Sequence, residues 1–395
     1  MPSMRAAVLA ASLVPAIATA AEVPVWFGTY TNPTTRSEGI YVARFDTTTG
    51  SLTKPVLAGR VKNPSFLAFH PRLPMLYAVS EIAAADGTPG GAVEAFAIDE
   101  ATWALSSRGA ESTGGAGPCH VTVDPDGSVV LAANYGGGSV ACLGLTKEGR
   151  LRPLVSGSAG SGLVKHRYER DGEEGIDPKR QDKPHAHSVD VLDGLNRVVA
   201  CDLGLDQVLM HQFSPETATV SFYSSTKLTI GSGPRHFALH PDSYRAWCVN
   251  ELDLTVTGLH FGPRRCGMAT ERTYSTLPPD VTDRTGFSCA EIAVHPGGRF
   301  LYASNRGHDS IAMFRIIAQR HDQANSTDLE FLGTEPTRAK TPRHFAIAPG
   351  GTFLLAAGQA SNTVTVFSID EATGRLMFTG TSVEVPSPVC VGFRR

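Results

Sequence analysis

No long basic run occurs in this chain, and Lys plus Arg at 35 against Asp plus Glu at 38 leave a formal net charge of only −3. Gripping a phosphate backbone takes a concentrated cationic face, so nucleic acid is excluded as a partner. No apolar stretch is long enough to span a bilayer as a helix, and no membrane partner is expected. Long amphipathic periodicity at helical spacing is also missing. No Cys-x-x-Cys pair or Cys/His cluster spells a structural zinc site, and no Gly-x-Ser-x-Gly elbow presents a serine nucleophile. The seven cysteines, Cys119, Cys142, Cys201, Cys248, Cys266, Cys289 and Cys390, stand singly, and an odd number cannot all pair. Several lie inside apolar runs, where a thiol acts as a small core hydrophobe.

What the sequence has in quantity is turn residues, 40 Gly and 26 Pro, and one recurring phrase. A small or polar pair precedes a short apolar run, then a His-Pro or Asp-Pro turn, then a second apolar run ending in polar residues. It reads NPSFLAFHPRLPMLYAVSE from Asn63, GPCHVTVDPDGSVVLAANY from Gly117 and HAHSVDVLDGLNRVVACDLG from His185. It returns as GPRHFALHPDSYRAWCVNE from Gly233, SCAEIAVHPGGRFLYASNR from Ser288 and TPRHFAIAPGGTFLLAAGQ from Thr341. Period-two runs follow, such as Gly91 to Ile98, Ser310 to Ile316 and Asn362 to Ile369, each closed by a turn. Repeats of roughly 40–50 residues built from short strands are the mark of a propeller.

The residues after the proline, or its equivalent, are Ser65, Cys119, His187, Arg235, Ala290 and Arg343, with a truncated seventh copy at Val389. The strands that the seventh copy lacks stand at the other end, in VWFGTYTNPTTRSEGIYVARFDTTTGSL from Val25. The fold expected is therefore all-β: a seven-bladed β-propeller of four-stranded blades over residues 21–395, its last blade closed by N- and C-terminal strands. Joining the ends in one blade seals the raw edges that a cut ring would leave.

The first strand of each blade lines the central channel of a propeller, so equivalent positions form rings. One ring holds Ser65, Cys119, His187, Arg235, Ala290, Arg343 and Val389, and the next holds Phe66, His120, Ser188, His236, Glu291, His344 and Cys390. A third, at the end of the second strands, holds Glu81, Tyr135, Leu203, Glu251, Arg306, Gln359 and Tyr30. Charged groups converging on one axis are costly to desolvate without partners. Either inter-blade ion pairs or a ligand meets that cost. Planar guanidinium forks on Arg235, Arg306 and Arg343 suit a carboxylate or phosphate, so the ligand implied is a small anion.

Other motifs are weaker. NYGGGSV at Asn134 joins two strands and reads as a hairpin rather than a phosphate loop. His185 and His187 could supply at most half of a metal site. Asp202, Asp206 and Asp309 read as turn residues. The polar stretch Ser156 to Lys183 interrupts the repeat spacing and reads as either a lid over one channel mouth or a solvated loop. The first 20 residues, with Arg5 ahead of an apolar core and an Ala18-x-Ala20 ending, read as a cleaved secretory signal. The sequon at Asn325 is compatible with secretion.

GTYT at Gly28, RQDKPHAHSV at Arg180, CDLGLDQV at Cys201, GPRHFALHP with CVNEL, LYASNRGHDSIAMF at Leu301 and TPRHFAIAPGGTFLLAAGQ carry a resemblance. Together they resemble the seven-bladed lactonase family, which includes propeller-type 6-phosphogluconolactonases and 3-carboxy-cis,cis-muconate lactonizing enzymes. The resemblance covers nearly everything after residue 25. It implies His187, Arg235, Glu251 and Arg306 as catalytic residues, and no metal or other cofactor. The wording of the phrases is nearer to the phosphogluconolactonase branch.

The expectation is hydrolysis of a small anionic lactone of a phosphorylated sugar, with His187 or Glu251 as general base and Arg235 and Arg306 stabilising the oxyanion. Arg343, His344, His120, His236, Glu81 and Gln359 are expected to bind substrate. Ring closure of a carboxy-muconate in the same cavity is the second enzymatic reading. A non-catalytic binding propeller and a metal-dependent six-bladed lactonase are further rivals, the first lacking its WD and GH signature and the second contradicted by seven copies. The sequence leaves the oligomeric state open.

Overall fold

The computed structural model describes residues 22–394 except 86–87, 158–159, 169–176, 193, 243, 263–265 and 318–326. The segment expected as a secretory leader and Asn325 of the sequon lie outside the described residues. The regular elements among them are all strands, and they form seven four-stranded antiparallel sheets and two small two-stranded ones. Blades 1 to 6 follow in chain order over 67–112, 118–165, 186–227, 234–275, 288–336 and 342–384. Blade 7 is split: Pro388–Phe393 is its innermost strand, followed outward by Glu22–Thr29, Gly39–Asp46 and Val56–Arg60. Phe27 pairs with Val391 and Trp26 with Gly392, so the two termini close the ring as the truncated repeat predicts.

The apolar phrases run unbroken because inner strands are buried on both faces. Val198 and Ala200 pack toward blade 2, whereas Val199 and Cys201, one residue on, pack toward blade 4. Successive side chains of a strand point to opposite faces, and here each face meets another blade. Seven apolar clusters result, one at every junction between neighbouring blades. Outer strands pack on fewer partners and alternate more, as in Thr219–Lys227. The cysteines follow the same logic: six are buried and Cys266 is exposed.

The turn histidines latch one blade to the next. His240 Nδ1 accepts the Asp242 N–H at 3.1 Å while Nε2–H donates to Gly298 O of the next blade at 2.9 Å. His295 repeats this toward Gly351 O at 2.8 Å. All these latches sit at the mouth where first strands end, which leaves the opposite mouth to the polar residues of the phrase.

Candidate active site

Every marker residue from Cys119 onward sits at an irregularity of its inner strand. Registers shift between Pro118 and His120, Ala186 and Ser188, Pro234 and His236, Cys289 and Ile292, and Pro342 and His344. A regular strand sends neighbouring side chains to opposite faces, but a bulge sets two residues against one. Consecutive residues thus reach the channel together: Arg235 with His236, and Arg343 with His344, line the same small pocket. This is how each blade supplies two layers to one axis.

The upper layer surrounds a cavity of about 320 Å³ lined by Glu81, Cys119, Tyr135, Arg180, His187, Glu251, Arg306 and Arg343. Glu251, 2% exposed, is its electrostatic hub. One carboxylate oxygen accepts Arg180 Nη2 at 2.6 Å and forms an ion pair with Arg306 Nη2 at 3.1 Å, and the other accepts Arg235 Nε at 3.0 Å. Burial alone would raise its pKa, but Arg306, Arg235 and Arg180 outweigh it and hold the carboxyl well below the usual range. Arg235 also donates to Ala290 O at 2.6 Å. Its burial, with Arg343 and Arg306 nearby, brings its pKa down to about 10, so it stays charged at neutral pH.

Arg343 differs from these three. It packs on the Tyr30 ring at 5.3 Å and makes no hydrogen bond to a described residue, while Tyr30 donates to Glu81 at 2.9 Å. Burial opposes its charge, yet Tyr30, Glu81 and Glu251 keep its pKa above the usual value. Beside it, His187 is 5% exposed and touches Cys119 Sγ through Nδ1 at 3.8 Å, which leaves Nε2 without a partner among the described residues. Burial, then Arg235, His236 and Arg343, depress its pKa well below 6.5, so the ring is neutral. Cys119 is no rival nucleophile: its thiol donates to His187 O at 3.2 Å, and burial pushes its pKa up.

The lower layer is aromatic and imidazole-rich. Phe66 packs on His120 at 4.0 Å and on His344 at 5.3 Å. His344 Nδ1 accepts the Val391 N–H at 3.2 Å, so its Nε2–H donates to Glu291 Oε2 at 3.2 Å. The same oxygen accepts His236 Nδ1–H at 2.9 Å. His120 Nδ1 accepts the Val189 N–H at 3.3 Å.

The structure thus gathers His187, Glu251, Arg306, Arg343 and Glu81 around one cavity, with Arg235 bridging from below and His236 and His344 beneath. His120 lies under Phe66, away from the cavity, and Gln359 is not among its lining residues, its N–H bonding Thr341 O at 3.0 Å. His185 turns aside to stack on Tyr135 at 4.4 Å and bond Tyr135 O and Asp182, leaving His187 as the channel histidine of that pair.

Three cavity residues escaped the choice of site residues, Cys119, Tyr135 and Arg180. Arg180 belongs to the polar stretch 156–183, which is not wholly an insertion: Leu163–Lys165 is the outer strand of blade 2. Only the part after it reaches the mouth. Gln181, 1% exposed, ties that part down by donating to Leu203 O and Asp206 at 2.8 Å each. Asp206 also accepts Gly231 and Gly233 N–H groups, a loop-pinning role in keeping with a turn residue. The one signal for Arg180 was a guanidinium shortly before the His-Ala-His phrase.

A family model described as "Lactonase, 7-bladed beta-propeller" matches residues 24–393. A 6-phosphogluconolactonase of Bacillus subtilis is 34% identical over 368 residues, 93% of this chain and 97% of that protein. A 6-phosphogluconolactonase of Formosa agariphila is 31% identical over 349 residues, covering 86% and 90%. A solved structure of a periplasmic gluconolactonase from Pseudomonas aeruginosa gives a TM-score of 0.81 at 29% identity, covering 95% of this chain and 99% of that one.

Proposed function

Since the chain belongs to the lactonase family of seven-bladed β-propellers, we propose that it hydrolyses a six-carbon sugar lactone bearing an anionic group, 6-phosphogluconolactone being the first substrate to test. Lactone hydrolysis agrees with the names of its relatives, none of which is named for muconate ring closure among those above. A cavity of about 320 Å³ is at the small end of ligand pockets, roughly 300–1,000 Å³, and suits a monosaccharide.

One observation carries the reading. Arg343 presents a half-buried guanidinium with no hydrogen bond to a described residue, next to a neutral His187 whose Nε2 has no partner among the described residues. Arg343 takes the anionic group. His187 Nε2 removes a proton from water as the water oxygen adds to the lactone carbonyl, and the carbonyl electron pair moves onto its oxygen. The Arg306 guanidinium, whose Nε has no protein partner, stabilises that oxyanion. Collapse breaks the bond to the ring oxygen, which recovers the proton from His187, and the product is an open-chain carboxylic acid that releases its proton to solvent as the carboxylate. Glu251 does not serve as base, because three guanidiniums occupy its oxygens and hold it ionised. Its work is to fix Arg180, Arg235 and Arg306.

The test compares 6-phosphogluconolactone with gluconolactone against spontaneous hydrolysis. Arg343→Ala is expected to lower kcat/KM for the phosphorylated lactone about a hundredfold, the scale of a charge-assisted contact, and to spare gluconolactone. Equal losses on both would sink the anion assignment, and full rates in both His187→Ala and Arg235→Ala would sink the site. We propose further that residues 1–20 are a cleaved leader and that the mature enzyme acts outside the cytoplasm. N-terminal sequencing of the secreted protein from Ala21 checks that point.

A further inference from the structure

Below the main cavity, at its floor, lies a second pocket of about 10 Å³, room for a single water. It is lined by Ser65, Phe66, Glu81, Cys119, His187 and Arg235, and by His236, Arg343, His344 and Val389. Two of these residues carry a fully enclosed polar atom with no protein partner, Ser65 Oγ and His236 Nε2. Ser65 is 5% exposed and His236 is 4% exposed. Orphaned polar atoms of this kind are destabilising unless something bonds them. Two in one pocket of that size describe a place built for one small hydrogen-bonding molecule.

The orientation of His236 is not left free. Its Nδ1–H donates to Glu291 Oε2, and Glu291 is itself fixed, accepting Ile292 N–H at 3.0 Å and His344 Nε2–H at 3.2 Å. That leaves the Nε2 lone pair as an acceptor turned away from Glu291. The ring stands 5.2 Å from the His187 ring, so an acceptor and the free His187 imidazole border the same pocket.

We propose that the floor pocket seats the attacking water of the lactone hydrolysis inferred above, with Ser65 Oγ–H donating to it and His236 Nε2 accepting from it. The water then keeps one proton for His187 and directs a lone pair upward to the lactone carbonyl. No atom is added to the balance already given: the seat selects which water reacts. His236 and Ser65 hold the nucleophile, and Glu291 and His344 are positioning residues that set the tautomer of His236.

Three measurements test this, resting in part on the lactonase reading. In a high-resolution crystal structure of the ligand-free protein, a water within hydrogen-bond distance of both Ser65 Oγ and His236 Nε2 is expected; a pocket that holds none overturns the seat whatever the activity. Ser65→Ala, which keeps the space but loses one anchor, is expected to lower kcat about tenfold with KM unchanged. Ser65→Val, which fills the space, is expected to lower kcat at least about a hundredfold, again at constant KM. Thermal unfolding of both variants checks that they fold. A change in KM alone, or an unchanged kcat in folded Ser65→Val, overturns the proposal. Wild-type protein inert on both lactones would instead overturn the substrate reading, and the crystallographic result would still decide the seat.

Discussion

Glu251 shows at the scale of one residue how stability and function share a site. Its carboxylate neutralises part of a cluster of four guanidiniums, Arg180, Arg235, Arg306 and Arg343, that would otherwise repel one another across a small cavity. Removing one partner of a buried pair typically costs about 3–5 kcal/mol. Glu251→Gln is therefore expected to lower unfolding free energy by about that amount in urea titrations, as well as activity; a variant as stable as the parent would show the arginines solvated or otherwise paired. The pH dependence follows from the depressed folded-state pKa. Stability from Glu251 is complete above its ordinary value of 4.5 and is lost as pH falls through the lower folded value, so acid unfolding should be shallower in Glu251→Gln.

Asp190 has the opposite sign. The residue is only partly buried, but its Oδ2 is enclosed without a partner, and burial followed by the nearby Glu291 pushes its pKa up to about 8. Its contribution is fully present below its ordinary 3.8 and is lost as pH rises through about 8. Asp190→Asn should raise the thermal midpoint at pH 8 more than at pH 5, and an equal shift at both would rule out this titration. For catalysis, the depressed pKa of His187 puts the acid limb of kcat/KM below pH 6.5, with a flat rate from there to pH 8. An acid limb centred above 6.5 would exclude His187 as the base.

At the scale of elements, the inner-strand bulges and the segment carrying Arg180 decide which side chains meet. The repeat register alone places Arg235 and His236 in successive rings, and simple alternation would turn one of them away from the axis. The bulge is what turns both inward, and no residue type in the phrase announces it. The Arg180 segment is held equally tightly: a Cβ on Gly204 would come within 1.8 Å of Lys183 O. Gly204→Ala should therefore displace the segment that delivers Arg180 and raise KM for an anionic lactone severalfold, with the propeller intact by circular dichroism. An unchanged KM would show that Arg180 takes no part in binding. The stretch before His185 was legible as polar and out of register, but its division into an outer strand and a wall of the mouth was not, since three residues of strand are too few for a periodic signal.

For the whole molecule, closure is the governing fact. Pro388–Phe393 is both the inner wall of blade 7 and the strand that pairs with Glu22–Thr29, so few C-terminal residues complete the ring. Deleting 386–395 should expose the inner edge of Glu22–Thr29 and the apolar clusters on both sides of blade 7, which include Cys390 and Val391. The expected outcome is loss of the cooperative unfolding transition and aggregation during expression. A soluble, cooperatively folding truncation would mean that six blades and part of a seventh suffice.

The sequence by itself determined the number of blades, the split of the last one and the ring positions of His187, Arg235, Glu251, Arg306 and Arg343, because a repeat in register repeats in space. The same registers nominated Gln359 and His120, which line no part of the main cavity, since equal sequence offsets fix height along the axis but not where a side chain turns. Only the tertiary structure decided that Glu251 is saturated by arginines while Arg343 and His187 stay open. Which groups pair depends on distances across the channel, between residues as far apart in the chain as Arg180 and Glu251, and no local pattern encodes those.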